Sequence, residues 1–111
     1  CFMFAAGAVG AAGAYSYSVN KLVTVESASV EKTYQAALDG LGDLSMKVQS
    51  HNVDKLTGKV VGKTAQDKQV EIQLKRRDDT STEVGIRVGS GFLSDEKDQA
   101  MSIMQAMRKR L

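Results

Sequence analysis

The chain has 111 residues, enough for one single-core domain and too few for two. Its formal net charge is only +2, with both signs interspersed, and 5 % of its residues are aromatic, which argues against a nucleic-acid partner. A single cysteine excludes an intrachain disulfide, so the fold must hold by packing alone.

That cysteine is Cys1, and the run Phe2 to Val19 after it carries no charge and consists largely of Ala and Gly. A ribosomal product begins with methionine, so a chain opening at cysteine reads as a processed product. Bacterial lipoproteins are matured in this way, with a diacylglyceryl group on the cysteine thiol and a further acyl chain, such as palmitate, on its amine. Cys1 is therefore the expected lipidation site, and residues 1–20 the expected membrane-anchoring or membrane-embedded segment. As a helix, Phe2 to Tyr17 would span about 24 Å, short of a hydrocarbon core of about 30 Å, although the bacterial outer membrane is thinner. Tyr15 and Tyr17 stand where interfacial aromatics belong.

Small residues recur at every fourth position, Ala6, Gly10 and Ala14 together with Gly7 and Ala11, and Gly13 adds another. That spacing lets helix backbones approach closely in lipid. A flexible tether of small residues is the leading reading of the same run, the packed membrane helix is the second, and a remnant of signal sequence is a third, which lacks the charged start it needs.

Residues 21–111 carry the pattern of an α+β domain. Lys21 to Glu26 alternates, with Val23 and Val25 on one face, and predicts a strand. Ser27 or Ser29 can cap a helix whose apolar stripe is Val30, Tyr34, Ala37, Leu38 and Leu41, with Gly42 as the stop. Leu44, Met46 and Val48 alternate and predict a second strand, and Asn52 to Thr57 carries turn chemistry. Gly58 to Lys63 predicts a third strand with its glycines on the weaker side. Val70, Ile72 and Leu74 against Glu71, Gln73 and Lys75 predict a fourth with one wet face. Val84, Ile86 and Val88 predict a fifth, after a turn at Asp78 to Thr80.

Ser94 is the expected cap of a last helix with Asp95, Glu96 and Asp98 near its start and Arg108, Lys109 and Arg110 near its end, both suited to the helix dipole. Its buried stripe is Ala100, Ile103, Met104, Met107 and Leu111. The predicted order is β-α-β-β-β-β-α: two helices packed on an antiparallel four- to five-stranded sheet.

Chemistry-bearing residues are few. His51 is the only histidine, which removes a His-rich metal site and leaves a Ser-His-Asp arrangement with Asp54 without a nucleophile elbow. Gly58, Gly62 and Gly85 sit inside strand patterns and are expected to mark bulges or close backbone approaches. The run Gly89 to Phe92 precedes a helix but lacks the lysine of a phosphate loop. Lys55, Lys59, Lys63, Lys68, Lys75, Arg76 and Arg77 outnumber Asp54, Asp67 and Glu71 over one stretch. They read as a solvated face, with a surface for anionic headgroups as the alternative. Met101, Met104 and Met107 read as core filling. No catalytic residue, metal ligand or cofactor is expected beyond covalent lipid on Cys1.

The segments CFMFAAGAVGAAGAY, ALDGLGDL, LTGKV, VEIQLKR and TEVGIRVGS resemble the short bacterial lipoproteins grouped as domain of unknown function 3568, over nearly the whole chain. The resemblance implies a lipidated Cys1 and an envelope location, and it brings no catalytic residues. Phe2 in place of aspartate after the cysteine favours the outer membrane, with the domain in the periplasm. The expected function is that of a non-enzymatic lipoprotein, a structural or accessory subunit with membrane lipid and a protein partner or further copies of itself. The alternative is binding of a small molecule or lipid in a helix–sheet cleft lined by Val60, Ile72, Ile86 and Met104.

Overall fold

The structure is a computed structural model and describes residues 15–18, 21–91 and 93–111. Strand β1 (Tyr15–Ser18) is followed by β2 (Lys21–Glu26), helix α1 (Val30–Asp43) and the strands β3 (Lys47–Val53), β4 (Thr57–Lys63), β5 (Gln69–Asp78) and β6 (Ser81–Val88). Helix α2 (Ser94–Lys109) closes the chain. The five strands from β2 onward and the two helices reproduce the predicted β-α-β-β-β-β-α order. All strands form one antiparallel sheet in the order β1-β2-β6-β5-β4-β3. Because β2 pairs with β6, the two ends of the domain close on each other.

β1 adds a strand to that prediction, so a helix running through Tyr17 does not hold at these residues. Its register sets Tyr15 against Thr24 and Ser18 against Lys21. The period of two in Tyr-Ser-Tyr-Ser suits a pleat, and the free edge of β2 supplies the backbone partners.

Both helices cover one sheet face. Leu22, Val60, Val70, Ile72, Val84, Ile86 and Val88 from the sheet meet Ala37 and Leu41 of α1 and Ala100 and Ile103 of α2, and every one of them is fully buried. The helices approach closely where Gly40 faces Ala106, since a methyl group on Gly40 would sit 3.2 Å from the Met107 nitrogen. Met104 and Met107 are buried in the core and Met101 packs against it, as the helical spacing predicts.

Several local expectations need correction. Val23 and Val25 share a face of β2, as predicted, and it is the other face, with Leu22, Thr24 and Glu26, that is buried. Register decides this: Leu22 lies opposite Ile86, Thr24 opposite Val84 and Glu26 opposite Thr82. Glu26 is tolerated inside because Arg108 of α2 donates to both its oxygens at 3.0–3.2 Å, and the Thr24 hydroxyl donates at 2.8 Å.

Helix α1 is capped by Ser29, whose Oγ accepts from the Lys32 amide, but Gly42 does not stop it. The left-handed residue is Ser45, with φ of 59°, and the Met46 amide closes the end by donating to the Leu41 carbonyl at 2.9 Å. Leu44 and Met46 thus belong to a turn that tucks both against the core, and β3 starts at Lys47. β3 also runs further than predicted, through Asn52 and Val53, because Asp54 Oδ1 accepts the Leu56 and Thr57 amides at 2.8 Å and so tightens the reversal. These bonds hold the Asp54 carboxyl below its ordinary range.

Gly58 and Gly62 lie on the buried face of β4 with Val60, not on its weaker side. β3 bulges between Val48 and Ser50 opposite Gly62, and the Lys47 carbonyl occupies the space a side chain there would need.

Candidate functional site

Neither α1 nor α2 covers the other sheet face, and strict alternation along the strands decides which described residues stand there. One transverse row runs Asn52, Lys59, Gln73, Gly85 and Val23, each opposite the next in register. The neighbouring row holds Thr57, Lys75, Glu83 and Val25. Gly85 contributes no side chain at the middle of the face, and the Lys21 stem lies over it, its Cδ 3.5 Å from where a Cβ would be. The result is an open cleft of about 470 Å³ reaching from Lys21 and Val23 of β2 across to Asn52 of β3.

This face is strongly one-sided in charge. Lys21, Lys47, Lys59, Lys63, Lys75 and Arg87 share it with the carboxylates Glu71 and Glu83. Glu71 is held between Lys59 Nζ at 3.3 Å and Arg87 NH2 at 3.2 Å, and Lys63 pairs with Asp67 at 3.4 Å. Lys21 and Lys75, which flank the cleft, have no carboxylate within 4.0 Å among the described residues. Sequence order conceals this cluster, because Lys21, Lys47 and Arg87 join it from strands outside the basic stretch. Only the strand order brings them together.

The glycine-serine-glycine loop before α2 does hold an anion, and it is the protein's own. Glu96 is 3 % exposed and accepts from Ser90 Oγ at 2.7 Å, from the Gly91, Leu93 and Ser90 amides at 3.0, 3.2 and 3.3 Å, and from Lys68 Nζ at 3.1 Å. Gly89 and Gly91 take the positive φ values of 59° and 83° that curl these amides inward. Ser94 is accordingly the first helical residue and not the cap. Leu93 takes the cap position without a side-chain bond, and Glu96 reaches back to its amide.

The Ser90 hydroxyl first, helped by the Leu93 amide and Lys68, lowers the Glu96 carboxyl from its ordinary 4.5 to about 2 against the opposing effect of burial. A folded-state value below the unfolded one means that the bonds stabilise the fold fully above pH of about 4.5, and that this contribution fades as pH falls toward 2. Glu96→Gln is expected to flatten the fall in Tm between pH 5 and pH 2 relative to the parent chain. Parallel thermal melts across that window check this, and identical slopes would refute it.

Other sequence candidates are spoken for locally. His51 sits inside β3 and bonds through Nδ1 to the Tyr34 hydroxyl of α1, while Asp54 is engaged by its own turn. Val60, Ile72 and Ile86 are fully buried and Met104 is 4 % exposed within one continuous core, so the space expected between helices and sheet is filled by these side chains. The opposite face carries the open cleft described above.

Among the described residues no group of three or more His, Cys, Asp and Glu is placed to hold a metal. No described helix is long and apolar enough to cross a membrane. Cys1, Ala6, Gly7, Gly10, Ala11, Gly13 and Ala14, the expected lipidation and helix-packing positions, lie outside the described residues.

Residues 1–110 match the sequence model of one protein family, described as "Protein of unknown function (DUF3568)". No curated protein matches the chain.

Proposed function

The chain belongs to the DUF3568 family, and from that premise we propose that it is a non-enzymatic lipoprotein of the bacterial cell envelope. Acyl chains on Cys1 hold it in the outer membrane, the α+β domain faces the periplasm, and the whole acts as a structural or accessory subunit of a membrane-associated assembly. One observation carries the reading. The only cysteine stands directly before a charge-free run, and the family match takes in both, so the run is part of what the family shares along with the domain.

The energetics favour lipid over the run itself as the source of attachment. Ala and Gly bring little transfer energy, whereas each buried methylene contributes about 0.8 kcal/mol, so that one acyl chain binds marginally and two or three bind durably. The run is then free to serve contact. Ala6, Gly7, Gly10, Ala11, Gly13 and Ala14 are the positions at which a partner helix, or the same segment of another copy, would come closest.

Expression of the precursor in a bacterial host with Cys1→Ser is expected to move the protein from the membrane to the soluble fraction. Intact mass of the detergent-extracted parent should exceed the polypeptide mass by a diacylglyceryl group and an acyl chain. A bare polypeptide mass in the membrane fraction would overturn the reading.

A further inference from the structure

We propose that the open cleft on the sheet face away from α1 and α2 is a binding site for the phosphate headgroup of an anionic phospholipid. The inference deepens the membrane reading above, since it assigns the domain a second, reversible contact with the bilayer to which Cys1 tethers it.

The chemistry of the lining selects the ligand class. Three ammonium groups, Lys21, Lys59 and Lys75, come from three different strands, with the Gln73 amide between them and Glu83 as the single acid in the cleft. Such a set offers hydrogen-bond donors and positive potential to an oxyanion. Among the described residues that line it there is no aromatic side chain to stack on a base or a sugar. Its volume of about 470 Å³ falls within the range of small-ligand sites and suits a headgroup better than a folded partner.

The floor of the cleft points the same way. Gly85 lies in the middle of a β-strand, where glycine weakens the pleat, and its φ is not in the left-handed region that would require it. Nor does packing demand it, because a Cβ would meet only the Lys21 stem, at ordinary contact distance. What the missing side chain provides is depth at the centre of a basic face.

Reach decides between a lipid and a soluble phosphate. The cleft begins at β2, beside the β1 edge through which the chain runs back toward Cys1. Fully extended, the stretch from Cys1 to Tyr15 spans at most about 50 Å. A bilayer holding Cys1 therefore presents its headgroups to this face at high effective concentration. That stretch enters the sheet at Tyr15, opposite Thr24, so the nearer end of the cleft is the row of Val25, Glu83 and Lys75.

The test uses the full-length Cys1→Ser chain, which cannot be acylated, so that its outcome is independent of anchoring. Sedimentation with phosphatidylglycerol-containing vesicles should capture the protein, and pure phosphatidylcholine vesicles should not. Lys21→Gln combined with Lys75→Gln should weaken the partition about thirtyfold, at roughly fivefold per lysine. Gly85→Val should abolish the preference for phosphatidylglycerol while leaving the thermal midpoint unchanged or higher, because a β-branched residue suits a strand. Equal capture by both vesicles, or a preference that survives Gly85→Val, would overturn the proposal. So would glycerol 1-phosphate competing at concentrations matching the vesicle lipid, which would make the ligand a free phosphate. Failure here with an acylated native mass leaves anchoring intact, and the reverse result separates the two in the other direction.

Discussion

Ile86→Ala is expected to lower the unfolding free energy by about 2–5 kcal/mol, the range for deleting a large aliphatic side chain from a packed core. Ile86 sits near the middle of the sheet, on β6, between Leu22 of β2 and Ile72 of β5 in register, and all three are fully buried under the helices. No neighbour can collapse into the space without shifting a strand pairing, which places the loss in the upper part of that range. A small domain is stable by only about 5–15 kcal/mol, so the fall in Tm should be at least about 10 °C. Arg87→Ala, one residue along and on the opposite face, supplies the contrast. It removes one of two cations on Glu71 and should change stability by less than about 1 kcal/mol. Thermal melts of the two variants check this, and comparable losses would mean that β6 does not alternate between core and solvent as described.

Gly62→Val should be the second most damaging change, for a backbone reason. The Cβ would fall on the Lys47 carbonyl oxygen, with the Lys47 carbonyl carbon at 3.3 Å and the Val48 Cα at 3.5 Å behind it. None of these atoms belongs to a side chain that can rotate away, so β3 must lift off β4 at its bulge. Overpacking of this kind costs typically about 1–3 kcal/mol, and more where the obstacle is rigid. The damage should be local. Amide exchange should accelerate through Lys47–Val53 while the β5 and β6 amides keep their protection. Gly58→Ala is the milder comparison, since its nearest obstacle at 3.1 Å is the Leu74 Cδ1, the end of a flexible side chain. Unchanged exchange in β3 of Gly62→Val would remove the close approach from the account of this edge.

What the sequence revealed and what it concealed follow one physical division. Positions whose neighbours lie along the chain were legible: the α1 stripe from Val30 to Leu41, the β5 alternation around Ile72, the methionines of α2, and the charges at both ends of that helix. Misread positions depended on partners distant in sequence. Val23 and Val25 outscore Thr24 and Glu26 in hydropathy, and only Arg108, 82 residues on, makes Glu26 acceptable inside. Glu96 has the position expected of an acid in a first helical turn, yet its role comes from loop amides and from Lys68. The alternation of Leu44, Met46 and Val48 suited a strand equally well, until Ser45 took the left-handed position and turned the first two onto the core. The basic cleft was the least legible of all, because a row such as Asn52, Lys59, Gln73 and Gly85 exists only once four strands have chosen their order.

The two borders of the sheet bear on how such molecules behave when crowded together on one surface. An open strand border invites the next molecule to add itself and start a fibre. Here one border, β1, is four residues long, and the other is interrupted by its bulge and begins with a lysine. Among the described residues neither border offers a long flat template, so these strands resist stacking border to border in a dense carpet of domains. Whatever gathers copies into an assembly would have to work through other surfaces.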